Sequence, residues 1–87
     1  MAQIQLCTDK LEWVETDGEV VALDKAALTY LSANQSGALL WRELASGTTH
    51  DQLVARLVES FGIDRDAAIA DVDRFLAELD ARELLER

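Results

Sequence analysis

The chain has 87 residues, of which 49% are hydrophobic and 29% charged, and its formal net charge is -9. This length favours one domain spanning residues 1–87, and the composition is typical of a folded protein rather than a disordered, collagen-like or disulfide-dense one. The negative charge disfavours binding to nucleic acid and to anionic membrane surfaces.

The single cysteine, Cys7, excludes an internal disulfide. No apolar run reaches the roughly 18 residues of a membrane span, and residues 1–6 lack the positive start and apolar stretch of a signal peptide. We therefore expect a cytoplasmic protein with no membrane partner.

The first half of the chain shows the two-residue hydrophobic period of strands. Residues 12–16 and 19–24 flank the dipeptide Asp17-Gly18, which supplies the positive φ angles of a tight hairpin turn. Residues 28–32 alternate well enough to form a third strand. The pattern predicts a small antiparallel meander.

The second half shows the period of helices, beginning with two short ones. Asn34 or Ser36 can cap the first helix, which ends at Gly47. Thr49 followed by Gln52 has the form of a capping box for the second. We expect this second helix to end at the next glycine, residue 62.

A third and longest helix is predicted after Asp64 and Asp66, whose negative charges suit a helix start. Its broad apolar stripe consists of Ala68, Ile69, Val72, Phe75, Leu76 and Leu79. The tail residues Leu84 and Leu85 either extend this helix or fold back onto the core. Strands followed by helices predict an α+β, winged-helix-like fold, a three-stranded antiparallel sheet followed by three helices.

The residue types that carry catalysis and metal binding are sparse. His50 is the sole histidine, so every histidine-based catalytic or metal site would depend on it. We expect His50 to be an ordinary surface or capping neighbour and Cys7 to be an unremarkable thiol. The sequence therefore predicts a protein that is not an enzyme, with no catalytic residues, metal site or cofactor.

Many winged helices bind DNA, but a recognition helix needs basic or amide side chains aimed at the groove. The second helix offers mainly Arg56, and the third mixes Arg65 and Arg74 with many carboxylates. The charge pattern therefore disfavours nucleic acid as a partner.

The sheet itself offers another kind of site, because unpaired N–H and C=O groups at its edges can accept an extended peptide as an added strand. The third helix has more apolar width than a narrow core seam needs. The alternative is that this whole stripe is core, in an acidic structural or scaffold subunit without a peptide ligand.

Sequence motifs favour the peptide hypothesis. The run Val20-Val21-Ala22-Leu23-Asp24 is followed by residues 29–41, which include a tyrosine, an asparagine cap, Gly-Ala and a helical tryptophan. Residues 49–53, 61–64 and 70–76 fit the same pattern. From about residue 12 to residue 85, the chain resembles the PqqD-like family, the peptide-recognition elements of ribosomal natural-product (RiPP) biosynthesis. Leu28 stands where this family often has glycine, and Ala33 where a leucine commonly precedes the asparagine.

This resemblance implies a non-catalytic domain that binds the leader of a precursor peptide as an added strand between the third strand and the third helix. Matching positions place the binding wall at Leu28, Thr29, Tyr30, Leu31, Val72, Phe75, Leu76 and Leu79. A change of one residue in strand register would exchange the faces of the third strand. Arg74 either contacts an acidic leader residue at the rim or pairs with Asp71 or Glu78.

Small members of the family that look like this chain often serve lasso-peptide pathways. There the domain passes the leader to a separate cysteine peptidase and an ATP-dependent macrocyclase, and this is the subtype that we favour. The alternative is a PqqD-type chaperone that delivers a precursor peptide to a radical SAM enzyme.

Overall fold

The structure, a computed structural model, describes residues 3–86. In chain order its elements are β1 Gln5–Leu6, a 3₁₀ helix Thr8–Lys10, β2 Leu11–Thr16, β3 Glu19–Asp24, β4 Thr29–Ala33, α1 Gln35–Ser46, α2 His50–Phe61, α3 Arg65–Ala81 and β5 Leu85–Glu86. Strands β2, β3 and β4 form an antiparallel sheet in that order, with the three helices following. The predicted α+β fold is confirmed.

The hairpin between β2 and β3 is built as its turn residues predict. Asp17 and Gly18 have φ angles of 53° and 76°, the left-handed values that a two-residue hairpin turn requires. Thr16 lies opposite Glu19, which fixes the register of the whole β2–β3 pair.

The turn from β3 to β4 differs from the sequence prediction by one residue. Leu28 has φ 57° and donates its backbone N–H to the Asp24 carbonyl at 2.8 Å, so it belongs to the turn and β4 begins at Thr29. The buried Asp24 side chain accepts hydrogen bonds from the backbone N–H groups of Ala26 and Ala27. Leucine occupies a left-handed position here, where glycine would be free of strain.

The caps of the three helices follow the predicted signals. Asn34 accepts from the Gly37 N–H at 3.1 Å at the start of α1. Thr49 accepts from the Gln52 N–H at the start of α2, and Asp64 plays the same part for α3. Gly62 ends α2 in the left-handed conformation. Of the two candidate caps for α1, the structure uses Asn34.

The C-terminal tail folds back onto the core, which resolves the two alternatives for Leu84 and Leu85. Leu84 is 1% exposed, and β5 pairs antiparallel with β1, a strand that the sequence patterns did not predict. A further bridge joins Ile4 to Thr48. These pairings tie the first described residues to the last.

The core lies between the inner face of the sheet and the helices. Val20 and Ala22 of β3 contribute from the sheet. The largest fully buried side chains are Trp41, Leu6, Leu44, Leu53, Leu57, Leu84, Val20, Val54 and Val72. None of the helices within residues 3–86 is long and apolar enough to cross a membrane.

Candidate functional site

An apolar cleft lies between β4 and α3. It is lined by Val20, Leu31, Ser32, Ala33, Trp41, Phe75, Glu78 and Leu79. Its free volume of about 30 Å³ is enough for about two water molecules. A larger side chain therefore enters only if the walls move apart.

The wall formed by Phe75 depends on a glycine in α1. A Cβ atom added at Gly37 would lie 2.9 Å from the Ala33 Cβ and 3.3 Å from the Phe75 Cε1, closer than such atoms normally approach. Gly37 therefore allows β4, α1 and α3 to meet at one point. This close packing gives a physical reason for glycine after the asparagine cap.

The backbone of β4 leaves hydrogen-bonding groups free at the sheet edge. The Lys25 N–H donates to the Lys10 carbonyl at 2.9 Å, and antiparallel pairs alternate between bonded and non-bonded. Odd-numbered residues of β3 therefore bond to β2, and even-numbered residues of β3 bond to β4. Their partners in β4 are Thr29, Leu31 and Ala33, whose N–H and C=O groups point toward β3. The N–H and C=O groups of Tyr30 and Ser32 point away from β3.

No strand within residues 3–86 pairs with the outer side of β4. The free edge and the apolar cleft therefore lie side by side, since Ser32 belongs to both. An added strand would gain main-chain hydrogen bonds from the edge and burial of alternate side chains in the cleft.

The cleft opens into a wider and more polar depression of about 550 Å³. Its lining includes the start of α1 and three charged side chains of α3, namely Asp71, Arg74 and Glu78. The Arg74 Nη1 lies 3.2 Å from the Asp71 Oδ1. We call the β4 edge, the cleft and the depression together the groove.

The structure separates the nine predicted site residues into three sets. Leu31, Phe75 and Leu79 line the cleft, and Arg74 lines the depression. Val72 and Leu76 are buried in the core behind them. The remaining three lie outside both cavities and are exposed: Leu28, Thr29 and Tyr30. Tyr30 points to the outer face of the sheet, opposite Leu23, while its backbone belongs to the free edge.

Sequence reasoning missed several residues of the groove. Ser32 supplies an edge donor, and Ala33 lines both cavities. The sequence pattern indicates Asp71 and Glu78 only as partners of Arg74. Whether the odd or the even residues of β4 bond to β3 decides that the Ser32 N–H points outward. This alternation follows from the register of the β2–β3 hairpin, which the Asp17-Gly18 turn in the sequence already indicates.

The indole of Trp41 forms the back of the cleft. Its ring packs edge to face against that of Trp13, with the centroids 5.6 Å apart. The Trp41 Nε1 is buried and finds no hydrogen-bond acceptor among residues 3–86. A buried donor without an acceptor costs free energy, which an occupant would recover only if it parted the walls of the cleft and supplied an acceptor.

The two residues with reactive side chains lie outside the groove. Cys7 is buried next to β1, and this burial raises the pKa of its thiol, which disfavours the nucleophilic thiolate. The His50 Nε2 lies 2.7 Å from the Asp73 Oδ1 in a partly exposed pair between α2 and α3. His50 therefore has the carboxylate partner that orients a general base, but neither His50 nor Cys7 lines the groove.

Comparisons with known proteins relate the chain to one family model and to two solved structures. The family model described as coenzyme PQQ synthesis protein D (PqqD) matches residues 19–85. The structure of TbiB1 in complex with the TbiA(beta) leader peptide is similar with a TM-score of 0.85 and 28% sequence identity, over 94% of each chain. A lasso peptide synthetase B1 complexed with a leader peptide is similar in fold, with a TM-score of 0.83 and 21% identity over 99% of this chain and 100% of that one. No curated protein matches the chain significantly.

Proposed function

Since the chain belongs to the PqqD family, whose model matches most of its length, we propose that it binds the leader of a ribosomally made precursor peptide. The leader lies along β4 as an added strand, between the sheet and α3. The domain acts by binding and presentation, and the maturation enzyme that receives the precursor is a separate protein.

The observation that carries this proposal is the free edge of β4 beside an apolar cleft. Tyr30 and Ser32 supply outward N–H and C=O groups, so an added strand has backbone partners at alternate residues. Side chains of the added strand that point toward α3 meet Phe75 and Leu79, where apolar groups are removed from water.

The nine predicted residues take distinct roles in this proposal. Leu31, Phe75 and Leu79 contact the leader directly. Tyr30 contributes its backbone, and Thr29 holds β4 in register through its pairing with Asp24. The remaining four support the site from its surroundings: Leu28 sets the turn, Val72 and Leu76 pack behind the wall, and Arg74 lies at the rim.

The two similar structures favour a lasso-peptide pathway. Both are complexes with leader peptides, and one of them is a lasso peptide synthetase B1. In such a pathway a cysteine peptidase and a macrocyclase would act on the bound precursor. The match to the PqqD family model keeps a radical SAM enzyme as the alternative recipient.

A proline substitution at Ser32 tests the mode of binding. Ser32→Pro removes one outward N–H while leaving the bonds to β3 intact, and edge strands tolerate proline. Ser32→Ala keeps the N–H and is the matched control. We expect Ser32→Pro to weaken peptide binding about tenfold, the effect of losing one or more main-chain hydrogen bonds, whereas Ser32→Ala binds within about twofold of the wild type.

The probes are the synthetic TbiA(beta) leader and peptides selected from a displayed random library, measured by fluorescence anisotropy. Circular dichroism checks that both variants fold. Amide NMR shifts should map to residues 29–33 and 75–79. Shifts confined to α2, equal binding by both variants, or no binder from either source would contradict the proposal.

A further inference from the structure

The charged side chains of the groove all belong to one wall. Strand β4 carries no charged residue, whereas α3 contributes Asp71, Arg74 and Glu78. Over its whole length, Arg65–Ala81, α3 carries five carboxylates and two arginines. An added strand in the groove therefore faces an acidic helix, on a protein whose formal net charge is -9.

Among residues 3–86, Arg74 is the one cation that lines the groove, and it is already engaged. The Arg74 guanidinium pairs with Asp71 at 3.2 Å, so it neutralises a carboxylate of its own helix. Glu78 has only a loose contact, 3.8 Å, with Arg82, and its side chain is 65% exposed. Two carboxylates and one guanidinium leave the groove with a net charge of -1.

A second feature independently indicates an occupant at this place. The buried Trp41 Nε1 at the back of the cleft has no acceptor among residues 3–86. The carboxylates therefore flank a cleft whose back wall contains an unsatisfied hydrogen-bond donor.

We propose, on the basis of the proposed function, that the groove selects leader segments with a lysine or arginine next to Glu78 and Asp71. Acidic leader residues are disfavoured at the same place. Glu78 borders both the cleft and the depression. Asp71 and Glu78 are seven residues apart, about 10 Å along the axis and on nearly the same face of α3. A cation between them would be attracted by both carboxylates, whereas a peptide carboxylate would be repelled.

Selection from a displayed library of random peptides tests this preference. Wild type, Glu78→Lys and the control Glu12→Lys are used as baits. Glu12 lies on the exposed outer face of β2, opposite Leu23 and at the far edge of the sheet, so its substitution makes the same change in charge away from the groove. We expect lysine or arginine to be enriched among the peptides selected by wild type and by Glu12→Lys, and we expect this enrichment to be lost with Glu78→Lys.

Affinities of one selected peptide and its lysine-to-glutamate counterpart give the magnitude. We expect the lysine form to bind wild type about fivefold more tightly, the effect of exchanging one attractive exposed pair for a repulsive one. This ratio should shrink with added salt. Arg74→Ala should leave the affinity of the lysine form unchanged or increase it, because it frees Asp71.

The outcomes distinguish a failure of the charge selection from a failure of strand addition. Peptides that lose affinity on Ser32→Pro but show no basic preference would overturn the charge selection alone. A loss of affinity for the lysine form on Arg74→Ala would also overturn it, since that result would make Arg74 a direct contact. Peptides insensitive to Ser32→Pro would overturn strand addition itself.

Discussion

Replacing Leu28 with glycine should stabilise the protein, although it removes a hydrophobic side chain. Leu28 adopts φ 57° in the turn before β4, a conformation that costs a residue with a Cβ atom about 1–2 kcal/mol. Its side chain is 77% exposed, so little apolar burial is lost. The N–H bond to the Asp24 carbonyl remains available to glycine.

The expected net gain is smaller than the strain relieved. Glycine gives the unfolded chain more conformational freedom, which costs about 0.5–1 kcal/mol. The free energy of unfolding should therefore rise by about 0.5–1 kcal/mol, which corresponds to an increase in Tm of about 2–8 °C for a domain of this length.

Urea and thermal denaturation followed by circular dichroism measure the effect. Leu28→Ala is the matched control, because alanine keeps the Cβ atom and hence the strain, and should change stability by less than about 0.5 kcal/mol. If alanine and glycine give the same stability, or if glycine destabilises the protein, the reasoning from backbone strain is refuted.

Two further predictions concern stability, both measured by urea denaturation. Asp24→Ala should cost about 2 kcal/mol, because two backbone N–H groups, those of Ala26 and Ala27, lose their buried acceptor. Asp24→Asn keeps one acceptor oxygen and should cost less, whereas equal losses would contradict this role of the carboxylate. Leu84→Ala should cost about 3 kcal/mol by leaving a cavity under the folded-back tail. The half-buried Leu85 should tolerate the same change at less than half that cost, and similar effects at both sites would mean that the tail is not docked as described.

The elements with local signals could be predicted from the sequence. The Asp17-Gly18 turn, the Asn34 cap and the end of α2 at Gly62 each depend on residues close in the chain, whose conformational preferences are strong. The shift in the start of β4 arises because Leu28 adopts a conformation that leucine rarely takes.

The elements held by distant contacts could not be predicted. Strands β1 and β5 have two residues each, too few for a periodic pattern, and they form because Leu6 and Leu84 meet in the core. Their existence depends on packing between residues at opposite ends of the described chain.

The candidate site was predictable in place but not in detail. The apolar stripe of α3 locates the wall. Its periodicity does not separate Val72 and Leu76, which lie in the core alone, from Phe75 and the equally buried Leu79, which also line the cleft. That separation depends on how α3 is rotated against β4. Similarly, Tyr30 and Leu31 exchange faces with a shift of one residue in register, so only the observed pairing assigns them.

The acidic wall beside β4 has a consequence for the unoccupied protein. A bare strand edge normally invites a second copy of the same chain, which leads to edge-to-edge aggregation. Here two such edges would bring Asp71 and Glu78 of each copy together, on molecules that already repel one another through their overall charge. The same carboxylates that flank the groove therefore disfavour pairing between two copies of the chain at this edge.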